Sequence, residues 1–402
     1  MKNRLAKSTA CARAGAAAGM ALLLGVAIAS AADDDGFTGG GGGPKKGPLF
    51  LGSQGVIYEG GVYDNPSNPT TMSGQMHVFY QIPSGYRWGQ QGPGAKYPII
   101  MIHGGGQTGA NFLGTPDGRP GWAQFFAENG WPVFVIDQPG RGKSGYFPNA
   151  YGPQGPNPLP ATIKSMFTAP ELTVPLQWPQ ARFHTQWPGG YGSGVPGEYA
   201  FDQFFASQVA NMPNGDQALD LTTKAVTALI KDIGPAIIIT HSMTGPVSWF
   251  IPQASPGKIK AVIAVEPTGN SSLNGDTAPG TTCGLSNVCL KFNPPVSTGA
   301  DLNLVKVAPP SANKKSCWLQ SGPVHKLTGL TGIPILIATG QASYHATYDY
   351  CTSKFLTQAG VKNEHVPLAT VGILGNGHME MLEMNNLTIA AFYQSWLTAN
   401  LK

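Results

Sequence analysis

Residues 235–246 read Pro-Ala-Ile-Ile-Ile-Thr-His-Ser-Met-Thr-Gly-Pro. The β-branched run Ile237-Ile238-Ile239 predicts a buried strand. It stops at Thr240-His241-Ser242-Met243-Thr244, and Gly245-Pro246 open a helical pattern, Val247-Ser248-Trp249-Phe250. A strand, a sharp turn with a serine at its tip and a helix form the arrangement called a nucleophile elbow. The turn pushes one side chain into a strained, exposed position, so residues two places away must be small. The usual pattern is G-x-S-x-G. Both outer positions here are threonine, small but β-branched. A serine after a buried strand is more often an ordinary loop residue, so the decision rests with the rest of the chain.

On the N-terminal side, Tyr97-Pro98-Ile99-Ile100-Met101-Ile102 is a continuous apolar run suited to a parallel strand covered on both faces. It ends in His103-Gly104-Gly105-Gly106-Gln107-Thr108-Gly109. A glycine cluster there lets backbone N–H groups approach an anion without obstruction by Cβ. A helix from Trp122 to Asn129 and a strand over 132–136 follow, then Asp137-Gln138-Pro139-Gly140-Arg141-Gly142-Lys143-Ser144. The Gly-Lys-Ser end imitates a phosphate loop, but Asp137 stands where that pattern needs its first glycine. A structural turn is the better reading. Upstream, 55–58 and 75–80 read as antiparallel strands.

After a helix over about 218–233 comes the elbow. A helix over 247–253 leads to a strand at 261–265 ending in Glu266-Pro267. A strand over 334–338, a helix through Tyr348 and Phe355, and a last strand around 367–373 follow. That strand leads to Gly375-Asn376-Gly377-His378, before a final helix from Met379 to Leu397. Alternating strands and helices predict an α/β fold: a mostly parallel sheet with helices on both faces. Two stretches interrupt it. Residues 145–200, rich in Pro, Gly and aromatics, are too long for an ordinary loop and read as a lid insertion. Their aromatics either line a pocket or pack the lid onto the body. Residues 269–330 form a second insertion.

The first 31 residues look like a signal peptide. Lys2, Arg4, Lys7 and Arg13 precede the apolar stretch 15–28, and Ala29-Ser30-Ala31 suits cleavage. Removal takes the net charge from +4 to about zero, so no basic surface argues for nucleic acid. The glycine-rich residues 32–47 read as a linker, and 48–402 as one domain with its insertions. Charged residues are 11% of the chain, while Gly (54) and Pro (35) are abundant, which favours long ordered loops over surface helices. Cys283, Cys289, Cys317 and Cys351 would survive cleavage. An even count in an exported chain suggests disulfides, with Cys283–Cys289 and Cys317–Cys351 favoured among three pairings. Free buried thiols are the alternative, and the spacing does not resemble a zinc site.

In open α/β sheets, functional groups collect at the carboxyl ends of strands. The order of such groups here is glycine loop, Ser242, Glu266, His378. A serine hydroxyl needs a base within hydrogen-bond reach, and that base needs a carboxylate to orient it. His378 and Glu266 suit those parts. The strand after Glu266 ends in Gly340-Gln341-Ala342-Ser343 without an acid, and Asp349 downstream is the alternative carboxylate. Backbone N–H groups of Gly105, Gly106 and Met243 are candidate oxyanion donors. Glu380 and Glu383 are expected to face solvent or cap a helix. His103 is expected to hold its loop by hydrogen bonding. His345 and Asp349 are i,i+4 on a predicted helix, too few ligands for a metal site.

Taken together, these motifs resemble a small family of exported bacterial α/β-hydrolase esterases whose triad acid is a glutamate after the sixth strand. The likeness rests on residues 103–109, Thr115-Pro116-Asp117-Gly118-Arg119, residues 137–144, the elbow through Gly245, Glu266-Pro267 and Gly377-His378. It runs from about residue 50 onward. It implies a Ser242–Glu266–His378 triad with the 105–106 backbone and Met243 as oxyanion hole. Gly105-Gly106, where relatives can be bulkier, and the cysteine-containing insertion depart from the family and leave the pocket open. The expectation is a serine carboxylester hydrolase working through an acyl-enzyme, secreted or periplasmic. It needs no cofactor or metal and acts on a small-molecule ester. Neither nucleic acid nor stable membrane association is implied once the signal is cleaved, and a homodimer is compatible. The rival readings are an acyltransferase or lyase on the same fold, and a non-catalytic ligand-binding protein.

Overall fold

In the computed structural model, residues 49–92, 94–268 and 282–401 are described. The expected signal peptide and linker lie outside them, as do residues 269–281 of the second insertion. The antiparallel pair at the start is longer than its sequence pattern: β1 (Leu51–Tyr63) pairs with β2 (Met72–Pro83). β2 runs antiparallel to β4 (Val133–Asp137), which lies parallel to β3 (Ile99–Ile102). Parallel pairing continues through β5 (Ala236–His241), β6 (Ile259–Val265), β9 (Ile335–Thr339) and β10 (Glu364–Pro367). The eight-stranded order is β1-β2-β4-β3-β5-β6-β9-β10. β7 (Leu304–Val307) and β8 (Cys317–Gln320) form a separate hairpin within the second insertion.

The apolar runs become strands because both faces are covered. Met101, Val135, Ile237, Ile239 and Ile263 share a core with Trp122, Phe126, Ile389 and Tyr393. Their alternates Ile100, Phe134, Ile136, Ile238 and Val262 are equally buried and point to the other face. Helices Gly215–Ile233 and Val247–Ala254 pack against the sheet there. The first of these starts ahead of the predicted 218 because the Asn214 side chain accepts from the Asp216 and Gln217 N–H groups. Among the described residues, no helix is long and apolar enough to cross a membrane.

Two elements fall elsewhere than predicted. The last strand is 364–367, not 367–373; the apolar Leu368 and Ile373 are buried on a single turn and the segment leaving it. The final helix is Asn386–Asn400 rather than 379–397. The cause is Arg119, held by Asp117 at 2.6 and 3.0 Å. Its guanidinium donates to the carbonyls of Leu382, Glu383 and Met384 at 3.0–3.2 Å and to Asn386 Oδ1 at 2.9 Å. Carbonyls occupied by that fork hold residues 379–385 in a turn. Disulfides join Cys283 to Cys289 and Cys317 to Cys351, the favoured pairing. The second ties β8 to the helix Asp349–Gln358.

The 145–200 segment is pinned by a buried ion cluster. His184 Nδ1 lies 2.8 Å from Glu171 Oε2 within the insertion, and Nε2 lies 3.2 Å from Glu383 Oε1 in the turn after His378. Glu383 also accepts from Gly377 N and Asn376 Nδ2. Glu380 is likewise buried, accepting from the Tyr393 hydroxyl at 2.6 Å. The expectation of solvent-facing glutamates after His378 is therefore wrong, because the 379–385 turn folds inward.

Burial alone would push the His184 imidazole down, but Glu171 and Glu383 hold it up at about 9. An imidazole whose pKa is raised on folding stabilises the protein fully below its ordinary pKa of 6.5, and that contribution is lost as pH rises through 9. His184→Gln, which leaves carboxylates without their cation, is expected to cost roughly 3 kcal/mol. It should also flatten the fall in melting temperature between pH 7 and 9.5 seen for the unaltered protein; an unchanged slope in thermal melts would refute the cluster's role.

Candidate active site

β5 ends in the predicted turn. Ser242 has φ +55° and begins a single 3₁₀ turn, Ser242–Thr244, ahead of the helix Val247–Ala254. The outer threonines fit because their hydroxyls are engaged. Thr240 Oγ1 lies 2.6 Å from Ser248 Oγ, and Thr244 Oγ1 donates to His241 O at 2.9 Å. The steric demand falls on glycines elsewhere. A Cβ on Gly104 would lie 2.9 Å from both Ser242 Cβ and His241 Nδ1. One on Gly245 would lie 2.7 Å from Thr268 O.

His378 Nε2 is 2.8 Å from Ser242 Oγ, and its Nδ1 is hydrogen-bonded to Glu266 Oε2. Glu266, at the end of β6, is also left-handed, with φ +43°. Its carboxylate accepts from Gly340 N at 2.8 Å and from Ser343 Oγ at 2.6 Å. The end of β9, which carries no acid, thus supplies donors to the acid of its neighbour. Asp349 is held elsewhere, by Thr339 Oγ1 at 2.7 Å and His345 Nδ1 at 2.8 Å. His345 sits in the 3₁₀ turn Tyr344–Thr347, not on one helix with Asp349, and its ring stacks on His378 with centroids 4.8 Å apart.

Three residues near the imidazole escaped the sequence reading. Ser343 braces Glu266. Tyr344 places its hydroxyl 3.3 Å from His378 Nε2, and burial pushes that phenol's pKa up, so it remains a donor. His345 packs the ring. All three directly follow a strand end, and that position was the available signal. Of the lid aromatics, Phe167 stacks on His378 at 5.3 Å, and Trp178 packs on Tyr344 while donating to Ala342 O at 2.8 Å. Trp187 is wholly buried, Tyr146 and Tyr151 pack on each other, and Tyr191 is exposed. The lid aromatics therefore pack, some of them directly onto the His378 and Tyr344 rings.

The glycine loop lies beside the elbow. His103 Nε2 accepts from Gln138 N at 3.1 Å, and Gln138 Nε2 donates to His103 O at 2.8 Å. Burial, reinforced by the Arg141 charge, lowers the His103 pKa to about 4, so the ring is neutral and serves to hold the loop. Of the three expected oxyanion donors, Gly106 is taken: its N–H donates to Asn211 Oδ1 at 2.8 Å. The backbones of Gly105 and Met243 adjoin, since a Cβ on Gly105 would lie 3.6 Å from Met243 Cβ. Residues 137–144 form a structural turn. Asp137 accepts from Gly109 N and Lys143 N, each at 2.8 Å, and its carbonyl from Ser144 Oγ at 2.6 Å. Donor atoms of Glu266, His345 and His378 come within 4.8 Å of one another. His378 Nδ1 and both Glu266 oxygens are already hydrogen-bonded, so this set suits proton handling better than a cation.

Residues 97–281 match the family model of the α/β hydrolase fold. Over 352 residues the chain is 38% identical to a probable secreted lipase, phiG, of Fungal sp. (strain ATCC 74256), covering 85% of this chain and 88% of that protein. The chain belongs to the α/β-hydrolase family. A solved structure described as a novel bacterial esterase has the same fold, with a TM-score of 0.56 and 24% identity over 89% of this chain and 98% of that one.

In this α/β-hydrolase the imidazole and carboxylate of the site are buried, while Ser242 is half-buried. Burial pushes the Glu266 carboxyl up, and the Glu380 and Asp349 charges add to that; the Ser343 and Gly340 donors act against it. Burial pushes the His378 imidazole well below its ordinary 6.5, aided by His241 and His345. A lowered imidazole pKa keeps Nε2 an acceptor toward Ser242 further into acid. Labelling of Ser242 by a fluorophosphonate should therefore persist at pH 6 and fail only below that. A titration centred at or above 6.5 would contradict the burial effect. Gly104→Ala should slow labelling more than tenfold and cost about 1–3 kcal/mol by overpacking against the elbow, read by labelling rate and thermal melts.

Proposed function

We propose that this α/β-hydrolase is an exported serine carboxylester hydrolase that works through an acyl-enzyme. The observation that carries the reading is the hydrogen-bonded line from Ser242 Oγ through His378 to Glu266. Ser242 Oγ attacks the ester carbonyl carbon while His378 Nε2 takes its proton. Glu266 keeps Nδ1 protonated and stabilises the imidazolium that forms. The carbonyl oxygen becomes an oxyanion, received by the backbone N–H groups of Gly105 and Met243. Each such donor is typically worth about 3 kcal/mol in the transition state. The tetrahedral species collapses as His378 returns the proton to the leaving alcohol, giving acyl-Ser242. Water, deprotonated by the same nitrogen, then attacks the acyl carbon, and His378 returns that proton to Ser242 Oγ as the carboxylic acid is released.

The name of the 38%-identical relative, a probable secreted lipase, and the fold shared with a bacterial esterase support ester chemistry on a small molecule. That name and the two disulfides support export. In this reading residues 1–31 are a cleaved signal peptide, 32–47 a linker, and 145–200 and 269–330 insertions of the catalytic domain. The 145–200 insertion covers the imidazole with Phe167, and Trp178 packs on the neighbouring Tyr344.

Ser242→Ala should lower kcat for p-nitrophenyl short-chain esters by roughly 10⁴–10⁶-fold; unchanged turnover would sink the reading. Glu266→Gln should lose about 10⁴-fold, whereas Asp349→Asn, one residue removed from His378, should stay within about tenfold. The opposite ranking in steady-state kinetics would make Asp349 the acid.

A further inference from the structure

Tyr344 opens the 3₁₀ turn after β9 and has no part in the scheme above. Its hydroxyl lies 3.3 Å from His378 Nε2, the nitrogen that serves Ser242. Other tyrosines of the chain spend their protons on structure: Tyr393 donates to Glu380, and Tyr146 to the carbonyl of Gly152. Among the described residues no carbonyl or carboxylate takes the Tyr344 proton, and its hydroxyl meets the reacting centre instead. Burial pushes the phenol's pKa up, the Glu266 charge adds to that, and a hydrogen bond with Ser242 acts against it, so the group keeps its proton at neutral pH. The ring is held in place by Trp178, packed edge-on at 5.7 Å, and by His345 at 4.5 Å. Tyr344 and Ser242 are both half-buried, whereas His378 and Glu266 are buried. The phenol thus belongs, with the nucleophile, to the reachable part of the site.

The protons give this hydroxyl a task. In the free enzyme Nε2 is an acceptor, with Ser242 and Tyr344 both in front of it. When Nε2 takes the serine proton it becomes a donor and can no longer accept from the phenol. The Tyr344 O–H must then turn to another acceptor. The leaving oxygen has to collect its proton from Nε2, in the plane of the imidazole, and it is bonded to the carbon that Ser242 Oγ has attacked. It therefore shares with the Tyr344 hydroxyl the small sector in front of Nε2. It is also the oxygen that gains negative charge as the tetrahedral species collapses. A hydrogen bond made only at that stage lowers the barrier without tightening the binding of the substrate.

We propose that Tyr344 is a catalytic residue whose hydroxyl donates to the leaving-alcohol oxygen during acylation, and that this equips the protein for esters of aliphatic alcohols. The carbon–oxygen bond to the alcohol breaks, its electron pair stays on that oxygen, and the oxygen takes the Nε2 proton; Tyr344 keeps its own. Aliphatic alkoxides are poor leaving groups and need the donor, whereas a nitrophenolate leaves far more readily without it. The assignment rests on the serine-esterase reading for its ester, but its leaving-group chemistry applies to any reagent that Ser242 attacks.

The test uses the acetates of p-nitrophenol, phenol, trifluoroethanol and ethanol. All four give the same acetyl-enzyme, so kcat/KM compares acylation alone. Tyr344→Phe removes the hydroxyl and leaves the ring to pack. Its kcat/KM should fall at least about tenfold further for ethyl acetate than for p-nitrophenyl acetate, with the loss rising along the series. Fluorination of the Tyr344 ring beside the hydroxyl, which strengthens the donor, should make the rate less dependent on the alcohol than in the unaltered protein. An equal loss across the series makes Tyr344 a positioning residue for the imidazole and overturns the proposal. So does no loss at all or, where Tyr344→Phe fails to fold, an unchanged dependence in the fluorinated protein. The two readings fail separately. Hydrolysis with a loss independent of the alcohol defeats the Tyr344 assignment and leaves the esterase reading standing. If the unaltered protein hydrolyses no acetate, the esterase reading fails and Tyr344 is judged by phosphorylation of Ser242. Tyr344→Phe should then slow labelling more with phenyl diethyl phosphate than with p-nitrophenyl diethyl phosphate, and equal slowing overturns the assignment.

Discussion

The hydrogen bond between His378 Nδ1 and Glu266 depends on a carboxylate that no water reaches. A buried carboxylate survives only if its lone pairs are filled, and three groups from two elements fill those of Glu266. The backbone at Gly340 and the hydroxyl of Ser343 come from the end of β9, and the imidazole comes from the loop after β10. Moving the acid one strand closer to the nucleophile therefore does not free the neighbouring strand end. It turns that strand end from the bearer of the acid into its support. The left-handed backbone of Glu266 fits the same logic, because a strained residue persists only where its surroundings over-determine it.

Much of this was legible in the residues. Apolar runs such as 99–102 and 237–239, flanked by helical patterns, suit strands covered on both faces, and such strands in alternation with helices suit a mostly parallel sheet. The chain order of Ser242, Glu266 and His378 then follows from where their strands end. The long-range pieces were not legible. Glu380 and Glu383 looked like surface residues because local sequence cannot show that Arg119, far upstream, turns the segment inward. Tyr344 draws no attention, and His345 reads only as a partner of Asp349 on a helix, because ring stacking on His378 leaves no spacing pattern. The threonines at 240 and 244 appeared to weaken the elbow. Their compatibility depends on Ser248 and on the backbone at His241, while the need for a missing side chain passes to Gly104 and Gly245.

The insertions divide between packing and placement. His184 binds the 145–200 segment to the turn that follows His378, so the segment stacked on the imidazole and the segment that carries it share a charge cluster. The same segment stacks Phe167 on the imidazole and packs Trp178 on Tyr344. Asn211, just beyond it, holds the glycine loop through Gly106. The loop's donors are therefore oriented partly by residues outside the sheet, which is how one scaffold accommodates different substrates without changing its strand ends.

The Arg119 fork has a consequence in time. It joins groups 263 to 267 positions apart in the chain, and contacts of such separation form late because loop closure must precede them. Ser242 and Glu266 follow strands that can pair before that closure, whereas the His378 imidazole is set by the segment the fork secures. The line from Ser242 through His378 to Glu266 thus needs that long closure as well as the pairing of the strands.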